Sequence, residues 1–244
     1  MRDRLIRLAA ACGGDYAKLR QALYRQQEVK EDGPVADAVT ILDDDYPAAL
    51  RQLHQPPLVL FYQGNRHLLS QPKAAVVGSR LADAYGLDMT VKVVSQLRGR
   101  YVIVSGMARG IDAIAHRTAA ASIGVLGCGL DICYPAENAA LYGFMRRHQL
   151  LITEYPCGVR PLRQHFPFRN RIIAALGEVL IVTQAQARSG TMHTVNAALG
   201  LGRDVWAVPY RSGEPDGQGC NELIRDGANI LQWDAEKRSF RDFL

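Results

Sequence analysis

From residue 73 onward, short apolar runs alternate with stretches of helix length. The runs cover 74–78, 102–105, 124–127, 150–153, 179–182 and 205–208, and the intervening segments carry apolar residues at helical spacing. Parallel strands need crossover connections, and helical crossovers cover both faces of the sheet they build. The pattern predicts an α/β fold: an extended Rossmann-like, mostly parallel sheet with helices on both faces. Ahead of it, Leu5, Ile6, Leu8 and Ala9, then Leu19, Ala22 and Leu23, flank Gly13-Gly14 and predict two short helices. Gln55-Pro56-Pro57 then leads into the apolar run Leu58–Tyr62, a short strand closed by Gly64-Asn65. The expected organisation is a small helical N-terminal segment and linker over 1–68, the Rossmann-like domain over 69–235, and a tail over 236–244.

Glycines fall where such a sheet would use them. Gly78-Ser79-Arg80, Ser105-Gly106-Met107 and Gly127-Cys128-Gly129 each follow a predicted strand, and Ser189-Gly190-Thr191 follows the strand at 179–182. All four belong on the carboxyl edge of the sheet, where loops converge and helix amino termini present unpaired N–H groups to an anion. The nucleotide fingerprints are absent: no Gly-x-Gly-x-x-Gly follows the first strand of the domain, and no Gly-Lys-Ser/Thr loop occurs. Arg80 and Arg109 stand on these loops instead, a residue type suited to phosphate.

Charge sharpens this picture. The 244-residue chain carries a formal +5, and residues 71–202 hold fourteen Lys and Arg against seven Asp and Glu, whereas the two ends together are slightly acidic. A central positive excess suits a polyanion. The densest feature is Phe166-Pro167-Phe168-Arg169-Asn170-Arg171 at a predicted helix start; from Tyr155 to Gly177 there are four arginines, among them Arg160 and Arg163, and no acidic residue. Guanidinium groups interleaved with aromatic rings offer phosphate contacts and surfaces on which bases stack. Only a single strand exposes its base faces, so the composition points to single-stranded nucleic acid.

Other chemistry is sparse. Asp112 and His116, four apart on the helix after Arg109, read as a structural contact. No nucleophile elbow and no His-Glu-x-x-His occurs, and the five cysteines are scattered without a Cys-x-x-Cys pair, so neither an enzyme nor a metal or other cofactor is expected. No apolar run reaches the ~18 residues of a membrane-spanning helix, and Met1-Arg2-Asp3-Arg4 lacks the apolar stretch of a signal peptide, which predicts a cytoplasmic protein.

These residues resemble the DNA-processing protein A (DprA/Smf) family. The matching motifs run in family order: AAVVGSR (74–80), VSGMARGIDAIAH (104–116), VLGCGLDICYPAEN (125–138), ITEYPCG (152–158), FPFRNRIIA (166–174), SGTMHT (189–194), GRDVWAVP (202–209) and GCNELIRDGA (219–228). The resemblance implies a protein that binds single-stranded DNA in a positive pocket, forms a homodimer and helps load RecA recombinase during natural transformation. It implies no catalytic reaction. Residue by residue it places the pocket at Gly78, Ser79 and Arg80, at Ser105, Gly106 and Arg109, and along Phe166, Phe168, Arg169, Asn170 and Arg171. Glycine placement adds Gly127, Ser189 and Thr191. The sequence departs from the family at Gln184-Ala185, where Glu-Ala is common, and at Pro209-Tyr210, where Pro-Gly is usual; it is also expected to lack the winged-helix tail of many members.

Two other readings compete. A nucleoside-monophosphate phosphoribohydrolase on a related sheet would hold a phosphate at Ser189-Gly190-Thr191. That enzyme class expects Pro-Gly-Gly-x-Gly-Thr and a following Glu, and here Ala187-Arg188-Ser189-Gly190-Thr191 is followed by no Glu before Glu214. A scaffold that has lost DNA binding would fit the departures at Gln184 and Tyr210, but not the arginines on the loops.

Overall fold

The computed structural model describes residues 1–29, 35–241 and 243. Two helices, α1 (Arg2–Ala11) and α2 (Tyr16–Tyr24), open the chain. They are followed by β1 (Ala38–Thr40), α3 (Ala48–Arg51) and β2 (Val59–Gly64). The alternating portion runs β3 (Lys73–Gly78), α4 (Ala84–Gln96), β4 (Val102–Ser105), α5 (Ile111–Thr118), β5 (Ser122–Val125), α6 (Ala139–His148), β6 (Leu150–Thr153), α7 (His165–Leu176), β7 (Val179–Gln184), α8 (Thr191–Gly200), β8 (Asp204–Ala207), α9 (Gln218–Arg225) and β9 (Asn229–Ile230). A hairpin of β10 (Trp233–Asp234) and β11 (Ser239–Phe240) closes it.

The main sheet has nine strands in the order β1-β2-β6-β5-β4-β3-β7-β8-β9. From β6 to β9 all pairings are parallel, and β2 and β1 add antiparallel at one edge. This is the Rossmann-like arrangement that the apolar runs predict, because strands buried on both faces are predominantly apolar; β3 buries Lys73–Val77 and β7 buries all six residues, with Lys73, Thr183 and Gln184 the polar exceptions. Among the described residues no helix is long and apolar enough to cross a membrane.

Two details matter for the site. Strand order reverses between β3 and β7, which pair from Ala74↔Val179 to Val77↔Val182 before the register shifts at Gly78. In open parallel sheets that reversal leaves a crevice at the carboxyl ends. The sheet also runs across the boundary expected at 68/69. β2 hydrogen-bonds to β6 from Phe61↔Thr153 to Gly64↔Leu150, and α1 and α2 pack Leu5, Ile6, Leu8 and Leu19 onto Ala38, Val59 and Phe61. Residues before 69 thus form one edge of the same sheet. At the other end Phe240 and Phe243 are buried in the main core beside Trp206 and Trp233, so the expected tail is packed where it is described.

Candidate nucleic-acid interface

A cleft of about 1000 Å³ opens at the reversal between β3 and β7. One side is the turn after β3, with Gly78, Ser79, Arg80 and Leu81; another is the loop from Gln186 into α8, with Arg188, Ser189, Gly190 and Thr191; α7 contributes Phe166, Arg169 and Asn170, and Tyr134, Arg163 and Asp112 are among the other lining residues. The fold makes this approach possible at Gly78. A Cβ there would stand 2.6 Å from the Ile111 side chain and 2.7 Å from the Gln184 carbonyl, so only glycine fits between α5 and β7. The Ser79 Oγ accepts the Leu81 N–H at 3.1 Å and shapes the turn that carries Arg80 outward. Helix α8 begins without a side-chain cap; the Met192 N–H turns back to the Ser189 carbonyl at 3.1 Å, and other leading N–H groups of the helix are left for a ligand or solvent. The Ser189 hydroxyl oxygen beside it is shielded and has no hydrogen-bond partner among the described residues.

The cations sort into two kinds. Arg80, Arg163 and Arg188 are exposed, and no carboxylate among the described residues pairs with them. Arg169 and Arg171, expected as phosphate contacts, are held by the protein instead. Arg171 makes a two-pronged ion pair with Glu154, both N–H···O contacts at 2.7 Å, with the two side chains only 13% and 6% exposed. Its guanidinium also covers the Phe168 ring, Cζ lying 3.8 Å from the centroid, and Tyr16 lies on the same aromatic side chain at 6.5 Å between centroids. Phe168 is therefore no open stacking surface and does not line the cleft.

Arg169 is 4% exposed and donates to the Val125 carbonyl. Its charge is balanced by buried Asp112, whose Oδ2 also accepts the Gly106 and Ala108 N–H groups at 3.1 and 3.2 Å. Burial pushes the Asp112 carboxyl up, and Arg169 with the two backbone donors opposes that push. A Cβ at Gly106 would meet the Arg169 guanidinium at 2.5 Å. Gly106 thus leaves room for the arginine beneath it. Nearby His116 is fully buried, and burial together with the Arg169 charge pushes its imidazole down to about 3.

Further expected residues stand apart from the cleft lining. Ser105 is buried and donates to the Val76 carbonyl at 2.7 Å. Arg109 is exposed but paired with Glu137. Gly127 supports Phe166, since a Cβ there would lie 3.1 Å from the ring. Of the expected residues the cleft brings together Gly78, Ser79, Arg80, Phe166, Arg169, Asn170, Ser189 and Thr191, with Arg169 as part of its floor. Arg163, Arg188 and Tyr134 line it although sequence reasoning did not select them for the site. Arg188 had a signal, its place directly before Ser189-Gly190-Thr191.

Gln184 and Tyr210, expected as departures from the family pattern, pack against α4, although the buried Gln184 Nε2 has no hydrogen-bond partner among the described residues. Buried Gln184 accepts the Asp83 N–H at 3.0 Å at the start of α4, and the Tyr210 hydroxyl donates to the Thr183 carbonyl at 3.0 Å. Gly86 makes room for both, because a Cβ would stand 2.5 Å from Gln184 Oε1 and 2.9 Å from Tyr210 Oη.

The family model of DNA recombination-mediator protein A matches residues 37–240. DNA processing protein DprA from Streptococcus pneumoniae is 43% identical over 196 residues, covering 79% of this chain and 70% of its own length. The X-ray structure of that pneumococcal protein superposes with a TM-score of 0.79 at 39% identity, over 88% of this chain and 77% of the other. DNA processing protein A from Helicobacter pylori, whose structure concerns a single-stranded-DNA-binding mode, superposes with a TM-score of 0.74 at 32% identity, over 80% of this chain and 91% of the other. With a central α/β architecture and most of its length matched in this way, the chain belongs to the DNA recombination-mediator protein A (DprA/Smf) family.

Proposed function

We propose that this chain binds single-stranded DNA without catalysing a reaction on it, in the cleft between β3 and β7. The observation that carries the reading is the set of guanidinium groups of Arg80, Arg163 and Arg188, without a carboxylate partner among the described residues, around the start of α8, which has no side-chain cap. Phosphates gain from both, while the apolar side chains of the same cleft suit bases that a duplex would keep stacked. The single-stranded-DNA-binding mode of the Helicobacter pylori relative supports the same ligand. In this reading the protein acts in the cytoplasm as a homodimer, protects incoming single strands and helps load RecA recombinase on them during natural transformation. The phosphoribohydrolase alternative is not favoured: the relatives are DNA-processing proteins, and the loop before α8 lacks that enzyme's glycine run.

Salt-dependent binding tests the reading directly. Single-stranded oligonucleotides should bind more tightly than duplexes of equal length, and log K should fall with log salt by about 0.7 for each phosphate neutralised. Equal affinity for both forms, or affinity indifferent to salt, would remove the proposal. Loading is read separately, as RecA-dependent strand pairing on DNA already covered by a single-strand-binding protein, with and without this chain.

A further inference from the structure

We propose that Tyr134 is the stacking platform for a nucleobase of the bound strand, an inference that rests on the cleft being a single-stranded-DNA site. Phe166 is the obvious aromatic candidate from sequence and lines the cleft, but it is half-buried among close neighbours. Gly127 lies against it, the guanidinium carbons of Arg80 and Arg169 stand 5.7 and 6.0 Å from its centroid, and the Tyr134 ring lies 5.4 Å away at 34°. Phe166 is the inner, half-buried ring. Tyr134 is the outer member of the pair, 44% exposed and lining the cleft.

The backbone beneath Tyr134 is held in place. Its carbonyl accepts the hydroxyl of buried Tyr142 at 2.8 Å. Four residues on, the Asn138 amide donates to the Met107 and Ala108 carbonyls at 3.0 and 3.2 Å, and Glu137 pairs with Arg109. A ring with two side-chain torsions on a fixed backbone loses little freedom when a base settles on it. The same cleft exposes Leu81 by 83%, directly after Arg80. Exposed apolar side chains in a cleft that also carries exposed arginines have no use for phosphate, but they match the flat faces of bases. The cations then follow the sugar-phosphate chain while Tyr134 receives a base in a sequence-tolerant way.

The test compares an oligothymidylate with a strand of equal length in which every base is replaced by an abasic site, by fluorescence anisotropy with the full chain. The unaltered protein should prefer the intact strand by about tenfold or more, the range of one base–aromatic stack. Tyr134→Phe should keep that preference. Tyr134→Leu, which keeps apolar volume over Phe166 but removes the π face, should lose most of it by weakening only the intact strand. Equal weakening of both strands by Tyr134→Leu, or no weakening of either, overturns the inference while leaving the cleft reading standing. Absence of binding to either strand by the unaltered protein overturns the cleft reading and the inference together.

Discussion

The rim and the floor of the cleft are built from the same residue type and do different work. On the rim, Arg80, Arg163 and Arg188 reach solvent without a carboxylate partner among the described residues. In the floor and behind it, Arg169 and Arg171 are desolvated and balanced by Asp112 and Glu154. A guanidinium in water can neutralise a phosphate and so release the counterion condensed on it. One already locked to a carboxylate cannot, and its value lies in fixing backbone: Arg169 ties the end of β5 to α7, and its partner Asp112 holds the turn at Gly106. Positive charge near a pocket therefore says little until each cation's partner is known.

The largest effect should come from the buried set. Arg171→Met leaves the Glu154 carboxylate uncompensated in the interior and should cost roughly 3 to 5 kcal/mol of stability by denaturant unfolding. Affinity of the fraction that remains folded should change little; a stable variant with lost DNA binding would move Arg171 back to the rim.

Acid probes the floor next. Folded His116 titrates near 3 whereas its ordinary value is 6.5, so the unfolded chain takes up this proton first. Stability should fall as pH drops from about 6.5 towards 3, at up to about 1.4 kcal/mol per pH unit from this group. His116→Met should flatten that slope relative to the unaltered chain, measured as unfolding midpoints across the interval; identical slopes would remove the argument.

On the rim, Arg80→Glu should change the unfolding free energy by less than about 0.5 kcal/mol. It should nevertheless weaken single-strand binding by about tenfold or more at low salt and reduce the salt slope by about 0.7. A stability loss without a change in slope would make Arg80 a structural residue. The smallest effect belongs to Arg109→Gln, which breaks an exposed pair with Glu137 and should change stability by less than about 1 kcal/mol. A clear binding loss in that variant would return Arg109 to the interface.

Much of the fold is legible because its signal is local. The runs at 102–105 and 150–153 coincide with β4 and β6, and the others lie within about two residues of their strands at each end. By contrast β9, β10 and β11 have two residues each, too few for any periodicity. Within the site, Gly78-Ser79-Arg80 and Ser189-Gly190-Thr191 are readable as turns after strands. Arg169 carried a warning that was also readable: it precedes Ile172 and Ile173 by three and four residues on α7, the spacing of one buried face. Arg171 carried a subtler one, since the acid-free window that drew attention to it begins one residue after Glu154.

By itself the sequence determined the parallel sheet, the edge on which its loops gather and the concentration of positive charge there, because continuous apolar runs and glycine turns act over a few residues. Only tertiary structure decided which arginines keep their charge free for a ligand. The Glu154–Arg171 pair joins residues 17 apart and the Arg169–Val125 bond residues 44 apart. Such partners are chosen by how helices land on the sheet, and desolvation then makes the choice binding, since a guanidinium withdrawn from water must take the carboxylate or carbonyl that folding places beside it.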